Sequence, residues 1–165
     1  MACGPYEGVL GALVRAYKYN REVMLVDELA GFLLAQLRRH EVRADFVVAV
    51  PMHPLREMGR GLDHAGRLAE KVASEMGITH LEGVLIRSRM GPRQVGLSYS
   101  ARREAVRGAF KVVSGARLKR RSFLLVDDVM TTGATVSECA RVLHVAGAGE
   151  VRVAVIARQT RSLIL

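Results

Sequence analysis

Asp127 and Asp128 stand side by side behind the apolar run 123–126, and Thr131, Thr132, Gly133, Ala134 and Thr135 follow closely. The run reads as a buried strand, and the residues after Gly133 read as a helix that starts near Ala134. The first turn of a helix leaves N–H groups unpaired and carries the positive end of the helix dipole. A phosphate placed there gains backbone hydrogen bonds and the three threonine hydroxyls, and a glycine lets the backbone come close. Ionised carboxylates only accept hydrogen bonds, so the two aspartates suit sugar hydroxyls, or the waters around Mg²⁺. A phosphate at one end and vicinal hydroxyls a few ångströms away describe a ribose 5-phosphate. Capping alone explains one such residue, Asp127 at a strand end or Thr132 at a helix start, and leaves the second acid and the other threonines unexplained. No Gly-x-x-x-x-Gly-Lys and no Gly-x-Gly-x-x-Gly is present, which excludes the common mononucleotide and dinucleotide turns.

The elements that must hold these residues follow from apolar periodicity. Segments 7–20 (Leu10, Leu13, Val14, Tyr17), 22–39 (Val26, Leu29, Leu33, Leu37), 61–76 and 134–146 have helical spacing, and Gly77 and Gly147 are expected to close the last two. Runs 46–50, 123–126 and 151–157 read as strands buried on both faces, and 78–86 and 109–113 as further strands. A helical turn is expected at 102–107, and 87–100, with Gly91, Pro92 and Gly96, reads as a long loop. Buried strands alternating with helices predict an α/β fold with a mainly parallel sheet. Ligands of such sheets sit beyond the carboxyl ends of the strands, where 51–61 and 127–135 fall.

Composition narrows the class. The chain has 165 residues, half of them hydrophobic and a quarter charged, which fits one globular domain and not a disordered chain. Cys3 and Cys139 are the two cysteines, too few and too far apart for a disulfide framework or a cysteine zinc site, and a reducing, cytoplasmic setting is expected. No apolar run is long enough to span a bilayer, no signal peptide is expected, and no membrane partner is expected. The net charge is +9, and the block from Arg87 to Arg121 holds eleven Lys or Arg against one acid, Glu104, so it carries all of the excess. That block suits a solvated face, an anionic small ligand or a nucleic acid. The five histidines have no metal spacing. His53 falls in the 51–61 segment beyond a strand end, and His64, near a helix start, is read with His40, His80 and His144 as a surface or packing residue.

VDDVMTTGAT resembles the phosphoribosyl pyrophosphate (PRPP) motif of the type I phosphoribosyltransferases: two acids, two apolar residues and a Thr/Gly turn. VPMHPLREMGRG and RQVGLSYSARREAVRGAF are similar to segments of the ComF (GntX-like) family within that group. The resemblance implies one domain over 1–165, with a small N-terminal helical hood at 1–43 and a PRPP-binding core at 44–165 that carries a mobile loop at 87–100. It implies that Asp127 and Asp128 bind the ribose hydroxyls and reach Mg²⁺ through bound water, and that Thr131, Thr132, Gly133, Ala134 and Thr135 bind the 5-phosphate. Pro51, Met52, His53, Arg56 and Arg60 would form the pyrophosphate loop. Arg93 and Gln94 at the loop tip would be catalytic, and Lys18 matches a lysine that recurs in the family's N-terminal helix. The implied activity is Mg²⁺-dependent transfer of the 5-phosphoribosyl group to a nitrogen acceptor with release of pyrophosphate. Family members commonly begin with a cysteine-rich zinc-binding segment, of which Cys3 alone remains here. The family's Arg-Gly-Phe-Asn-Gln stands as Arg60-Gly61-Leu62-Asp63-His64 in this chain, and its asparagine as Ala105. Thr131 replaces the third acid of purine-salvage members, which weighs against a purine acceptor. The expected partners are PRPP or another nucleotide with a ribose 5-phosphate, nucleic acid through segment 87–121, and a second copy of the chain as a homo-oligomer. The alternative is a non-catalytic PRPP or nucleotide sensor, or a nucleic-acid-binding protein, linked to competence and DNA uptake as ComF members are.

Overall fold

The computed structural model describes residues 1–19, 24–52, 63–89, 104–113 and 118–159. In chain order the elements are β1 (Ala2–Pro5), α1 (Gly8–Tyr19), α2 (Leu25–Arg39), β2 (Phe46–Ala49), α3 (His64–Met76), β3 (Thr79–His80), β4 (Leu85–Arg87), β5 (Phe110–Val112), β6 (Ser122–Met130), α4 (Ala134–Val145) and β7 (Glu150–Arg158). Five strands form one sheet in the order β1-β7-β6-β2-β3, and every pairing in it is parallel. β4 and β5 form a separate antiparallel ribbon.

Alternation along the strands divides the core in two. Val47, Leu124, Val126, Ala154 and Ile156 face one layer, made with Val14 and Tyr17 of α1, Leu29, Leu33 and Leu37 of α2, and Leu68, Ala69 and Val72 of α3. Val48, Phe123 and Leu125 face the other, with Val136, Cys139 and Leu143 of α4 and with Leu85 and Phe110 of the ribbon. Both faces of the sheet are covered, which is why its strands read as unbroken apolar runs. Asp63 caps α3 by accepting from the Gly66 N–H at 2.9 Å, and Gly77 ends that helix at φ +66°, the left-handed conformation expected there.

Three elements differ from the periodicity reading. Residues 2–5, ahead of the segment expected to be helical, form an edge strand on β7. The expected single strand at 78–86 is two short strands in two sheets, separated at Gly83, whose φ is +69°. β6 continues to Met130, so Asp127 and Asp128 lie within a strand and not behind one. Among the described residues, no helix is long and apolar enough to cross a membrane.

Candidate functional site

The chain leaves β2 through α3 towards β3 on one side and leaves β6 through α4 towards β7 on the other. β2 and β6 are neighbours, so the crevice beyond their carboxyl ends is the switch point of the sheet, where open α/β folds bind ligands. Pro51 and Met52 lie at the end of β2, and Asp127–Thr135 at the end of β6.

The period of two that separates the core layers also separates the acids. Asp127 follows Phe123 and Leu125 on the α4 face, and Asp128 follows Leu124 and Val126 on the α1–α3 face. Their surroundings differ accordingly. Asp127 Oδ1 accepts from the Asp128 N–H at 2.8 Å. Burial, then the neighbouring Asp128 carboxylate, hold the Asp127 carboxyl well above the usual carboxylate range. Asp128 is 9% exposed and its Oδ1 lies 2.8 Å from Lys18 Nζ. Burial works against the Lys18 charge, but the Asp128 and Asp127 carboxylates more than offset it and hold the ammonium above its ordinary value. Lys18 therefore cancels one of two adjacent negative charges close to where an anion would dock.

Gly133 precedes α4 at φ +77°, a conformation that suits glycine. Thr132 Oγ1 accepts from the Ala134 N–H at 3.3 Å, and the first intrahelical bond is Ser137 N–H to Gly133 C=O. The Thr135 and Val136 N–H groups, in the first turn of α4, have no partner within the helix. Thr131 is exposed, Thr132 and Thr135 half-buried, and Ala134 buried.

Tyr17, His64 and Glu138 were not singled out as functional by the residue pattern. Tyr17 donates to the His64 carbonyl at 2.8 Å, and the His64 ring, 4.8 Å from the Tyr17 ring, bonds through Nε2 to the Lys18 carbonyl at 3.2 Å. Glu138, buried on α4, accepts from the Gly108 N–H at 2.8 Å and from Arg141 Nε and Nη2 at 2.9 and 2.7 Å. Hydrogen bonds from Arg141, against the effect of burial, hold its carboxyl below the usual glutamate value. Glu138→Ala should lower stability by about 1–2 kcal/mol, because it removes the charge-assisted hydrogen bond from the Gly108 N–H. That is a fall of about 2–4 °C in unfolding midpoint for each kcal/mol. The wild-type contribution should be present above the ordinary glutamate pKa and be lost as pH falls through the depressed folded value, which a melt series from pH 7 downwards reads.

Pro51 and Met52 line a cleft of about 320 Å³ with Asp63, Leu81, Glu82 and Arg87, beside but not including the Asp127–Thr135 segment. His53, Arg56, Arg60, Arg93 and Gln94 lie outside the described residues, as do Arg102, Arg103 and Arg117 of the basic block. The rest of that block is spread out. Arg87 stacks on Phe110 at 5.3 Å, whereas Lys119, Arg120 and Arg121 are exposed just before β6, at the opposite end of that strand from Asp127. At about 3.3 Å per residue the separation is on the order of 20–25 Å. Burial pushes both thiols up, Cys3 to about 11, so neither is a ready thiolate.

The sequence profile of the phosphoribosyl transferase domain family matches residues 17–164, and the chain belongs to that family. Its relatives include Competence protein F of Haemophilus influenzae, 29% identical across 94% of this chain and 70% of its own length. They also include the DNA utilization protein YhgH of Salmonella typhi, 31% identical across 90% of this chain and 66% of that protein. With these relatives it falls in the ComF group of type I phosphoribosyltransferases, and it spans about two thirds of their length. Among solved structures, glutamine PRPP amidotransferase from B. subtilis aligns with a TM-score of 0.52 and 27% identity, over 79% of this chain and 26% of that one. Adenine phosphoribosyltransferase from Saccharomyces cerevisiae shares the fold with a TM-score of 0.54 at 14% identity, over 85% of this chain and 72% of that one. The fold is the type I phosphoribosyltransferase fold. Two departures from the ComF pattern have a physical reading: Asp63 caps α3 as an asparagine would, and His64 offers the N–H that a glutamine amide would.

Proposed function

We propose that the chain binds PRPP with Mg²⁺ and transfers its 5-phosphoribosyl group to a nitrogen acceptor, releasing pyrophosphate. The observation that supports this reading most directly is the pair Asp127–Asp128, half neutralised by Lys18, beside the open N-terminus of α4 at the switch point of the sheet. The 5-phosphate docks on the Thr131–Thr135 turn and the ribose hydroxyls donate to the two carboxylates. Pro51, Met52, His53, Arg56 and Arg60 take the pyrophosphate, with Arg93 and Gln94 against the reacting centre. The bond from C1 to the pyrophosphate oxygen breaks as the bond from C1 to the acceptor nitrogen forms. Most of the protein's task is orientation and charge neutralisation. Among the described residues no group of three His, Cys, Asp or Glu could hold a metal alone, and the all-oxygen donors Asp127 and Asp128 fit Mg²⁺ held through water and ligand phosphates. Mg²⁺, when bound, offsets the charge of the leaving pyrophosphate.

Thermal unfolding with Mg²⁺ and PRPP tests the binding half of this reading. At about 100 times the dissociation constant the ligand should add about 2.7 kcal/mol, a rise of roughly 5–11 °C. The rise should vanish in the Asp127→Asn, Asp128→Asn double variant. No rise at millimolar ligand would sink the proposal. Pyrophosphate release in a screen of nitrogen acceptors tests the transfer half.

A second reading is favoured by the placement of Lys119, Arg120 and Arg121. A ligand at the carboxyl ends of the strands cannot use cations at the amino end of β6, so this cluster, in which Arg121 also pairs with Asp45 at 3.4 Å, supports contact with a nucleic-acid backbone. Reversing the three charges should weaken DNA binding and flatten its salt dependence while leaving the PRPP-induced shift intact. Unchanged DNA affinity would leave the cluster as a solvated face.

A further inference from the structure

We propose that Tyr17 and His64 are positioning residues for the ligand site: together they lock the end of α1 to the start of α3 and so hold the Lys18 ammonium on Asp128. The functional consequence rests on the reading that Asp128 faces the ribose.

The contact is reciprocal. The Tyr17 hydroxyl of α1 donates to the His64 carbonyl of α3, and the His64 ring of α3 bonds to the Lys18 carbonyl of α1. Both side chains are buried, at 1% and 4% exposure; the tyrosine bond is buried outright and the histidine bond in part, which limits competition from water. The Lys18 carbonyl lies in the last turn of its helix, where carbonyls lack intrahelical donors, so the histidine serves as a cap from a distant element. A carbonyl only accepts, which places the proton on Nε2 and leaves Nδ1 bare. Nδ1 has no hydrogen-bond partner among the described residues. A second ring proton would therefore have no acceptor among the described residues and would set a new charge beside the Lys18 ammonium. Among the described residues the groups facing the ring are Tyr17 and Lys18 on α1, Asp63 at the cap of α3, and Asp128 on β6, with Arg67 of α3 beside Tyr17. Burial holds the imidazole below its usual value, in keeping with a neutral donor.

Lysine is a flexible four-carbon stem, and a strong ion pair needs its backbone fixed. Among the described side chains of α1 the fully buried ones are Val14 and Tyr17, and of these Tyr17, through its contact with His64, is the anchor nearer Lys18. If that anchor were lost, Lys18 would swing away and both aspartates would face an incoming anion uncompensated. The same contact joins the beginning of α3, which follows directly on the 51–61 segment, to the carboxylate of β6, so the two sides of the crevice are tied through α1.

The test uses His64→Leu, which keeps bulk but removes the donor, His64→Gln, whose amide can donate to the same carbonyl, and Tyr17→Phe, which loses only the hydroxyl. The first readout needs no ligand: acetic anhydride labelling of Lys18, followed by mass spectrometry, relative to the exposed Lys111 and Lys119. Lys18 should be protected in wild type, labelled several-fold faster in His64→Leu and Tyr17→Phe, and protected again in His64→Gln. The second readout is the Mg²⁺–PRPP dissociation constant. It should weaken about tenfold in His64→Leu, the size of one lost charge contact. It should recover in His64→Gln, and His64→Leu should add nothing on a Lys18→Met background. Wild-type labelling in His64→Leu and Tyr17→Phe would overturn the proposal, as would affinity that tracks the unfolding midpoint across all variants without rescue by glutamine. If His64→Leu does not fold, Tyr17→Phe and His64→Gln decide alone. Expected labelling in a chain that binds no PRPP would uphold the clamp and sink the ligand reading instead.

Discussion

Asp128→Asn should lower the thermal midpoint of the free protein by roughly 4–12 °C, while Asp127→Asn, one residue away, should raise it by a few degrees. Removing the Asp128 charge takes from Lys18, whose side chain is 20% exposed, the carboxylate it touches, and leaves it the more distant Asp127 alone among the acids that hold its charge. Breaking a fully buried pair costs about 3–5 kcal/mol, and partial exposure brings this to roughly 2–3 kcal/mol, at about 2–4 °C each. Asp127 is in the opposite situation. Its carboxylate is repelled by Asp128 and disfavoured by burial, and the hydrogen bond it accepts from the Asp128 N–H is equally available to an amide oxygen. The asparagine side chain of the Asp127→Asn variant keeps that bond and removes a charge that strains the folded state, a gain on the order of 1 kcal/mol. Melts at pH 7 of the two single variants settle the matter. Equal falls would mean that the alternation of faces along β6 has no energetic consequence.

Ligand affinity should fall about tenfold for each pH unit below the Asp127 pKa, until the ordinary carboxylate range is reached. The sign follows from the raised value. In the free protein Asp127 takes up a proton at a pH where an ordinary aspartate is ionised. Ribose hydroxyls and Mg²⁺-bound waters need an acceptor, so binding must expel that proton, and acidification opposes it. For the free fold the effect runs the other way. The folded state binds this proton more tightly than the unfolded chain, so Asp127's contribution favours the fold below the ordinary carboxylate pKa and is lost as pH rises through the folded value. The ligand's own phosphates titrate near pH ~6, and the weak binding of Asp127→Asn reports that part alone. Calorimetry in buffers of different ionisation enthalpy counts the proton directly. A wild-type profile parallel to that of the variant would remove Asp127 from the site.

Much of this was legible in the residues. The runs at 46–50, 123–126 and 151–157 are buried on both faces, and that is the composition a parallel sheet demands. The position of the candidate site was read from the acids and threonines at the end of one such run, which the structure places at the switch point of the sheet. The rest was hidden for physical reasons. Ala2–Pro5 has no β-branched residue and becomes a strand through its pairing with β7. Residues 78–86 form a continuous pattern that one turn at Gly83 divides between two sheets. Tyr17 reads as one more apolar helix position, and its bond to His64 exists only once α1 and α3 meet. Glu138 looks like a solvent residue on an amphipathic helix until Gly108 is brought to it by the fold. These are tertiary partnerships, which periodicity does not encode.

The edge pairing of β1 with β7 bears on how the molecule is made. Ala2 and Val155 are register partners at nearly opposite ends of the described chain. During synthesis the first strand emerges long before its neighbour exists, and loop closure across such a distance is slow. The α1 segment that follows β1 packs on both β1 and β7, so the Lys18–Asp128 pair is expected to settle only once β7 is in place. Until then the nascent chain holds two adjacent, uncompensated carboxylates and a strand with a bare edge. The candidate crevice is then expected among the last features to mature, and chaperone dependence or aggregation during expression should report on β1 before it reports on the core.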